Sequence, residues 1–403
     1  MTIATMRFLD RWVGGPLCLL LSCIFRMKNA LSLERRVPQG ARRILVMKYF
    51  GMGSILLSTP MFKAIREEYP GARIGFLTFS QNRELCDIVS PADEYYYIRT
   101  ENIAVFLRDL FSSLREIWRK RYDMVIDMEF FSNFSMILSV LSRAHQRVGY
   151  YARRPGREIL LTKPVYFNQS RHVTEVFLSL SGRDPRLCHD APDVARSPLA
   201  SPGREARRKT ALLFADIGLN GRRNPPIIAI NVNTSELCRE RRWPGEHFIA
   251  LSEKLLKGTR AILLFIGGRE DMEYVEGIVS SLRMKDRSEG RVHNISGRLS
   301  LRDLIALLSR CDILITSDSG PLHLAAGTGT RTASFFGPET PSLYGPRGDG
   351  HLVFYKGLYC SPCLNVYNAK TAACHGVNHC VSDINPEEVY RAIRERFPDI
   401  WRA

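Results

Sequence analysis

A chain of 403 residues exceeds what one hydrophobic core can hold, so it divides into two domains or three. With 45% apolar and 24% charged residues it is neither disordered nor fibrous. Its net charge of +16 is either a basic solvated surface or the mark of a negative partner: nucleic acid, anionic lipid or a phosphorylated substrate. No aromatic ribonucleoprotein pattern, zinc-finger helix or basic zipper region is present, so no nucleic acid is expected among the partners.

Residues 12–25 (WVGGPLCLLLSCIF) form an uncharged, mostly apolar run. Arg7 and Arg11 precede it, and Arg26, Lys28, Arg35 and Arg36 follow it. The run is shorter than the roughly 20 residues needed to span a bilayer. Asp10 interrupts its front and no small-residue cleavage site follows, which argues against a secretory signal. It is either a buried N-terminal helix or a shallow insertion into an anionic leaflet. The basic flanks favour the second, so residues 1–36 are read as a membrane-associating segment. The expected location is cytoplasmic, peripheral on the inner face of the cytoplasmic membrane.

Two blocks of alternating strand and helix patterns follow. The first has strands at 43–47, 74–79, 94–98, 123–128 and 147–150, with helical spacing over 55–68, 103–119 and 131–141. The stretch 182–226 is rich in Pro, Arg and Gly and holds one helix, 204–217; the hinge is placed near its end. The second block has strands at 227–232, 261–266, 292–295, 312–316 and 332–336, and helices at 245–256, 271–282 and 301–309. A last helix, 386–397, opens with Pro at its first turn. Strand–helix alternation implies parallel sheets covered on both faces. The domains are then 37–220, 221–385 and a C-terminal helical segment 386–403.

Ligands of open α/β sheets bind beyond the carboxyl ends of the strands. Two loops stand out there. Ser317-Asp318-Ser319-Gly320-Pro321-Leu322-His323 ends a buried strand and starts a helix. It is either an ordinary cap and turn or a diphosphate site on free helix amides, with Asp318 ordering the loop or bonding a ribose. Gly51-Met52-Gly53-Ser54 is either a tight turn or a place where another molecule approaches the backbone.

In context these patterns resemble glycosyltransferase family 9, the heptosyltransferase family of lipopolysaccharide assembly. In the second half the resemblance rests on Asn231 to Thr234, Arg241-Arg242-Trp243-Pro244, Gly267-Gly268, Ser296-Gly297 with Leu301, Thr316 to Ala325 and Phe336-Gly337-Pro338. In the first half it rests on 48–60 and 123–127, and it spans 42–391 overall. It implies a GT-B fold of two facing doubly wound domains and an inverting transfer that requires no metal. The sugar donor sits on the C-terminal domain and a lipid-linked or lipopolysaccharide-type saccharide acceptor on the N-terminal one. The family's basic residue before Trp-Pro falls on Arg241, whose guanidinium suits a diphosphate. Asp318, Ser319 and Gly320 carry over as the diphosphate and ribose site with His323 beside them. Thr234, Ser235 and Gly267 are further donor contacts, and Gly51 to Ser54 line the acceptor side.

One departure bears on mechanism. The family commonly has Asp, its proposed base, where this chain has Ser54. A hydroxyl without an activating partner is a poor base, and the transfer needs a carboxylate or imidazole. Glu129 is the replacement expected here. Asp127 is the alternative, or else a cap of the next element, and His172 comes next.

Cys360, Cys363, Cys374 and Cys380 lie close together in a chain whose ten cysteines suggest a reducing compartment. The cluster either holds a structural zinc, with His375 or His379 able to substitute, or forms a packed metal-free loop. Two other readings of the whole chain stay open: an epimerase of nucleotide sugars on the same frame, and an inactive subunit that binds sugar nucleotide or glycan without turnover.

Overall fold

Short, uninterrupted apolar runs that end in a polar or glycine-containing loop become buried parallel strands. The computed structural model describes residues 2–31, 40–151, 157–183, 202–219, 225–234, 238–283, 289–368, 371–372, 374 and 378–402. The chain divides into two units, Met1–Ala191 and Pro192–Ala403.

In the first unit, helices α1 (Ile3–Leu9) and α2 (Gly15–Leu31) precede β1 (Arg43–Met47), α3 (Met52–Leu57), α4 (Thr59–Glu68), β2 (Arg73–Phe79), α5 (Arg83–Val89) and β3 (Glu94–Ile98). Then come α6 (Ile103–Lys120), β4 (Met124–Asp127), α7 (Asn133–Leu141), β5 (Gln146–Tyr151), α8 (Arg157–Leu160), β6 (Lys163–Tyr166) and α9 (Val173–Ser179). The strands pair in parallel in the order β3-β2-β1-β4-β5-β6. Leu45, Met47 and Val125 of the sheet pack under Leu114 and Ile117 of α6 and Leu138 of α7.

The second unit starts with α10 (Gly203–Asp216), β7 (Ile227–Asn231), α11 (Gly245–Gly258), β8 (Ile262–Ile266), α12 (Met272–Ser281) and β9 (Val292–Asn294). It continues through α13 (Leu301–Leu308), β10 (Ile313–Ser317), α14 (Gly320–Thr328), β11 (Arg331–Phe336), α15 (Pro341–Tyr344), β12 (His351–Tyr355), α16 (His379–Ser382) and α17 (Pro386–Arg396). Its sheet is also parallel, in the order β12-β11-β10-β7-β8-β9. Trp243 is fully buried, stacks on Phe335 at 4.1 Å and donates its indole N–H to the Ile384 carbonyl at 3.0 Å.

Both sheets therefore wind the same way. The strand order reverses once in each, between β1 and β4 and between β7 and β10. At such a point adjacent loops leave in opposite directions and open a crevice at the carboxyl ends of the strands.

Three expectations change. The division falls at Ala191–Pro192 rather than at 220, because α10 belongs to the second unit: Phe214 is buried there under the Arg310 guanidinium, and Lys209 reaches Asp303 at 4.0 Å. The last helix is part of the same core, through Val389 and Ile393. The N-terminal apolar run is longer than its uncharged part. α1, a π-helical turn over Asp10–Gly14 and α2 run on continuously, and the 23 residues Thr5–Met27 contain an 18-residue window of mean hydropathy 1.5, long and apolar enough to cross a bilayer.

That helix is docked along one side. Asp10 accepts bonds from Ser132 Oγ at 2.9 Å and from the backbone amides of Asn133 and Phe134 at 3.2 and 2.7 Å. Its carboxylate thus caps the start of α7, where the helix dipole favours negative charge. Cys18, Leu21 and Phe25 pack on Met136, Ile137, Leu160 and Leu161. The other side exposes Phe8, Trp12, Val13, Leu20, Ile24 and Met27.

Candidate active site

In the first unit the crevice is built on the ends of β1 and β4, whose register sets Met47 beside Asp127. Lys48, directly after β1, is buried and donates from Nζ to Glu129 Oε2 at 3.0 Å. The Tyr49 and Phe50 amides donate to Glu129 Oε1 at 2.6 and 3.2 Å. Ionised carboxylate oxygens offer about four lone-pair sites, so three donors leave one for a substrate hydroxyl. Glu129 is 7% exposed, while Asp127 is wholly buried.

Asp127 holds the turn that carries Glu129. Its Oδ1 accepts the Glu129 amide at 3.0 Å; its Oδ2 accepts Ser135 Oγ at 2.7 Å and faces the Arg157 guanidinium at 3.5 Å. Burial pushes the Asp127 carboxyl up to about 6, against the opposing pull of Arg157 and Ser135. Phe131, one turn on, has φ of 62°, a left-handed conformation that a bulky side chain adopts only where its surroundings enforce it.

Gly51 caps α3 with φ of 88°, which suits glycine. Gly51, Met52, Gly53 and Ser54 are half-buried, and among the described residues the Ser54 hydroxyl has no hydrogen-bond partner. His172 serves as the cap of α9, its Nδ1 accepting the Thr174 amide at 3.3 Å.

In the second unit the crevice lies at the ends of β7 and β10. Asn231 donates to Thr316 Oγ1 at 2.9 Å, Ser319 Oγ at 3.2 Å and the Asn233 carbonyl at 3.0 Å. Ser319 is the N-cap position of α14, yet its hydroxyl is engaged with Thr316 and makes no cap bond. The amides of Gly320 and Leu322 in the first turn are left for another acceptor. Arg241 Nη1 donates to Asp318 Oδ2 at 2.9 Å, and its Nε is buried without a partner among the described residues. Asp318 so fixes one corner of the guanidinium and leaves the remaining N–H groups to an anion beside a positive helix end. His323, in the first turn of α14, is buried. Burial pushes its pKa down to about 4, Asp318 opposing and Arg241 assisting, so the ring is neutral at physiological pH.

Asn233 was part of the matched sequence pattern without a role. It is buried, and among the described residues neither its amide nitrogen nor its oxygen has a partner. It lies over Gly267, where a Cβ would come within 2.8 Å of its Nδ2. Its signal in the sequence was a polar side chain just past an apolar strand. Thr234 is buried, its hydroxyl donating to the Cys238 carbonyl at 3.4 Å, and Ser235 lies outside the described residues. The second unit thus brings together Thr234, Arg241, Gly267, Asp318, Ser319, Gly320 and His323 around the ends of β7, β8 and β10. Glu129, Asp127 and the Gly51–Ser54 loop gather on the first unit.

The zinc expectation finds no support. Among the described residues no group of three or more His, Cys, Asp or Glu side chains is placed to hold a metal ion. Cys374 Sγ instead donates to Asn378 Oδ1 at 3.0 Å, and burial pushes the Cys380 thiol up to about 11, with Cys363, Cys374 and Cys360 adding to the shift. His379 is exposed and 3.4 Å from Asp383; His375 lies outside the described residues.

Two parallel sheets with the same winding, each bearing a polar crevice at its reversal, make this an α/β protein of the GT-B class. The sequence profile of glycosyltransferase family 9 (heptosyltransferase) matches residues 110–372, and the chain belongs to that family of glycosyltransferases. It is 24% identical over 310 residues to lipopolysaccharide heptosyltransferase 2 of Salmonella typhimurium, covering 75% of this chain and 85% of that protein. Among solved structures, a family 9 glycosyltransferase of Veillonella parvula superposes with a TM-score of 0.68 at 22% identity, covering 89% of this chain and 97% of the other. The ADP-heptose lipopolysaccharide heptosyltransferase II of E. coli superposes with a TM-score of 0.66 at 20% identity, covering 89% and 98%.

Proposed function

We propose that this enzyme moves a heptose from ADP-heptose, with inversion at the anomeric carbon, to a saccharide of a lipopolysaccharide-type acceptor at an anionic membrane surface. The observation that carries the reading is the Arg241–Asp318 pair beside the uncapped start of α14. It offers a guanidinium and helix amides to a diphosphate, the group that must leave with the nucleotide. Relatives named as lipopolysaccharide heptosyltransferases supply the sugar and the acceptor class.

The second unit holds the nucleotide, and the first supplies the base. As the acceptor oxygen bonds the anomeric carbon, the bond to the diphosphate breaks and the hydroxyl proton passes to Glu129. Asp127, sealed from solvent, positions Glu129 through its amide. Negative charge on the leaving diphosphate is met by Arg241 and the helix amides, which is why the reading needs no metal. The exposed side of α1 and α2, with Arg7, Arg11 and Arg26, lies in the plane of the leaflet, so the enzyme is peripheral on the inner face of the cytoplasmic membrane.

The decisive experiment supplies ADP-heptose and a truncated lipid-linked core, and follows ADP release together with the anomeric configuration of the product. Glu129→Gln should cut turnover at least about 10²-fold with ADP affinity nearly unchanged. Because that change strands Lys48, Lys48→Met/Glu129→Gln serves as a second variant that restores the fold without restoring turnover. Retained configuration, or full rate in a folded Glu129 variant, rejects the inverting base. One observation favours a second reading: among the described residues Ser54 has no activating partner, and three donors already engage Glu129. If wild type binds ADP but never consumes ADP-heptose with any acceptor, the chain is a binding subunit.

A further inference from the structure

The outer face of α6 carries an apolar stripe that the fold leaves uncovered. Ile103, Leu107 and Phe111 are 55%, 42% and 63% exposed. Spaced by four residues, they drift only about 40° apart per step around the helix and so form one continuous ridge. Arg108 and Arg115 line the same outer face next to the ridge, both exposed. A water-facing amphipathic helix has no use for such a ridge, and three side chains are too few for a stable protein interface of about 800 Å² per partner. Apolar side chains edged by arginine match the boundary between headgroups and acyl chains of an anionic bilayer.

The ridge is also continuous with the N-terminal helix. Met6 of α1 packs on the same core as Phe106 and Leu110 of α6. Phe106 lies 5.6 Å from Phe134, whose amide is bonded to Asp10. α6, α7 and the N-terminal helix therefore share one side of the first unit. Two uncovered apolar surfaces on one side of one unit, both edged by basic residues, call for a single planar occupant.

We infer that the Ile103–Leu107–Phe111 ridge of α6 is a second footing on anionic lipid, which together with α1 and α2 fixes how the first unit is oriented on the membrane. The inference rests on the membrane reading of the N-terminal helix. One helix lying in a leaflet leaves the unit free to roll about that helix's axis; a second contact off the axis removes this freedom.

The test is flotation of the full chain with vesicles of phosphatidylglycerol and phosphatidylethanolamine, against phosphatidylcholine alone. Three variants are compared: Leu107→Asp/Phe111→Asp, Trp12→Glu/Leu20→Glu, and all four changes. Each changes exposed side chains, and thermal melts check the fold. The ridge variant should partition at least about tenfold more weakly onto anionic vesicles, and the fourfold variant more weakly than either pair. Backbone amides over 103–112 should exchange hydrogen more slowly in wild type on vesicles than off them. Wild-type partitioning by the ridge variant, with loss in the helix variant, overturns the second footing and leaves the membrane reading standing. No flotation of wild type overturns both. Vesicle binding unchanged in the ridge variant, with a dimer seen by sedimentation lost, overturns the inference in favour of an interface between copies.

Discussion

The backbone amide of Glu129 donates to the carboxylate of Asp127 at 3.0 Å, so the two acids that flank Met128 act on each other directly. The inner acid orients the turn, and the outer one bridges to the end of β1 through Lys48, Tyr49 and Phe50. Removing either loosens the same joint.

Asp127 makes that joint pH-dependent. Its folded pKa of about 6 lies above the unfolded value of about 3.8, so the folded state binds more protons between these limits. Its contribution to stability is fully present below pH 4 and is lost as pH rises through 6. Asp127→Asn does not titrate. Urea melts should therefore show wild type losing on the order of 2–3 kcal/mol relative to the variant between pH 4 and pH 7. A pH-independent difference would remove the buried-acid account.

Arg241→Ala should weaken ADP binding by about 1.5–3 kcal/mol, read by calorimetry. Asp318→Ala should weaken it too, because the guanidinium loses its tether. The two losses should not add in the double variant, since each acts through the other. Full additivity would mean that the residues contact the ligand independently.

Asn233→Ala should separate binding from stability. Deleting an amide that is buried and without a partner among the described residues relieves a cost of about 1–3 kcal/mol in the free protein, offset in part by the small cavity left behind. The ligand-free protein should melt no lower than wild type, while ADP binds about tenfold more weakly. Gly267→Ala should mimic the binding loss by pressing a Cβ onto Asn233. Unchanged ADP affinity in both variants would take Asn233 out of the site.

Asp10→Ala should cost about 1–2 kcal/mol through loss of the α7 cap. Trypsin should then cut after Arg11 faster than in wild type. Asp10→Asn should lose only the charge–dipole share, about 0.3–1 kcal/mol, with the difference shrinking in high salt.

Much of the fold was readable because buried parallel strands are apolar runs: β1, β4, β7, β8 and β10 could hardly be anything else. Two strands were missed for the converse reason. β6 and β12 are sheet edges: Lys163–Tyr166 is mostly exposed and shows neither an apolar run nor alternation, and the apolar run of His351–Tyr355 is only four residues long, directly after the Gly- and Pro-rich stretch 345–350. The diphosphate loop was legible from one contiguous motif. The pairing of Lys48 with Glu129 was not, since 81 residues separate them and only the register of β1 with β4 brings them together. In the sequence Asp10 only interrupts an apolar run; its purpose lies at Phe134, 124 residues away.

That separation also sets an order of events during synthesis. At about 5–20 residues per second, the ribosome needs roughly 6–25 s to make α7 after α1 and α2 have been translated. For that interval the apolar helix exists without the surface that will cover its inner side; on the membrane reading proposed above, lipid is the apolar surface it meets first. Anchoring would then precede folding, and the first unit would assemble around a helix already resting on the membrane.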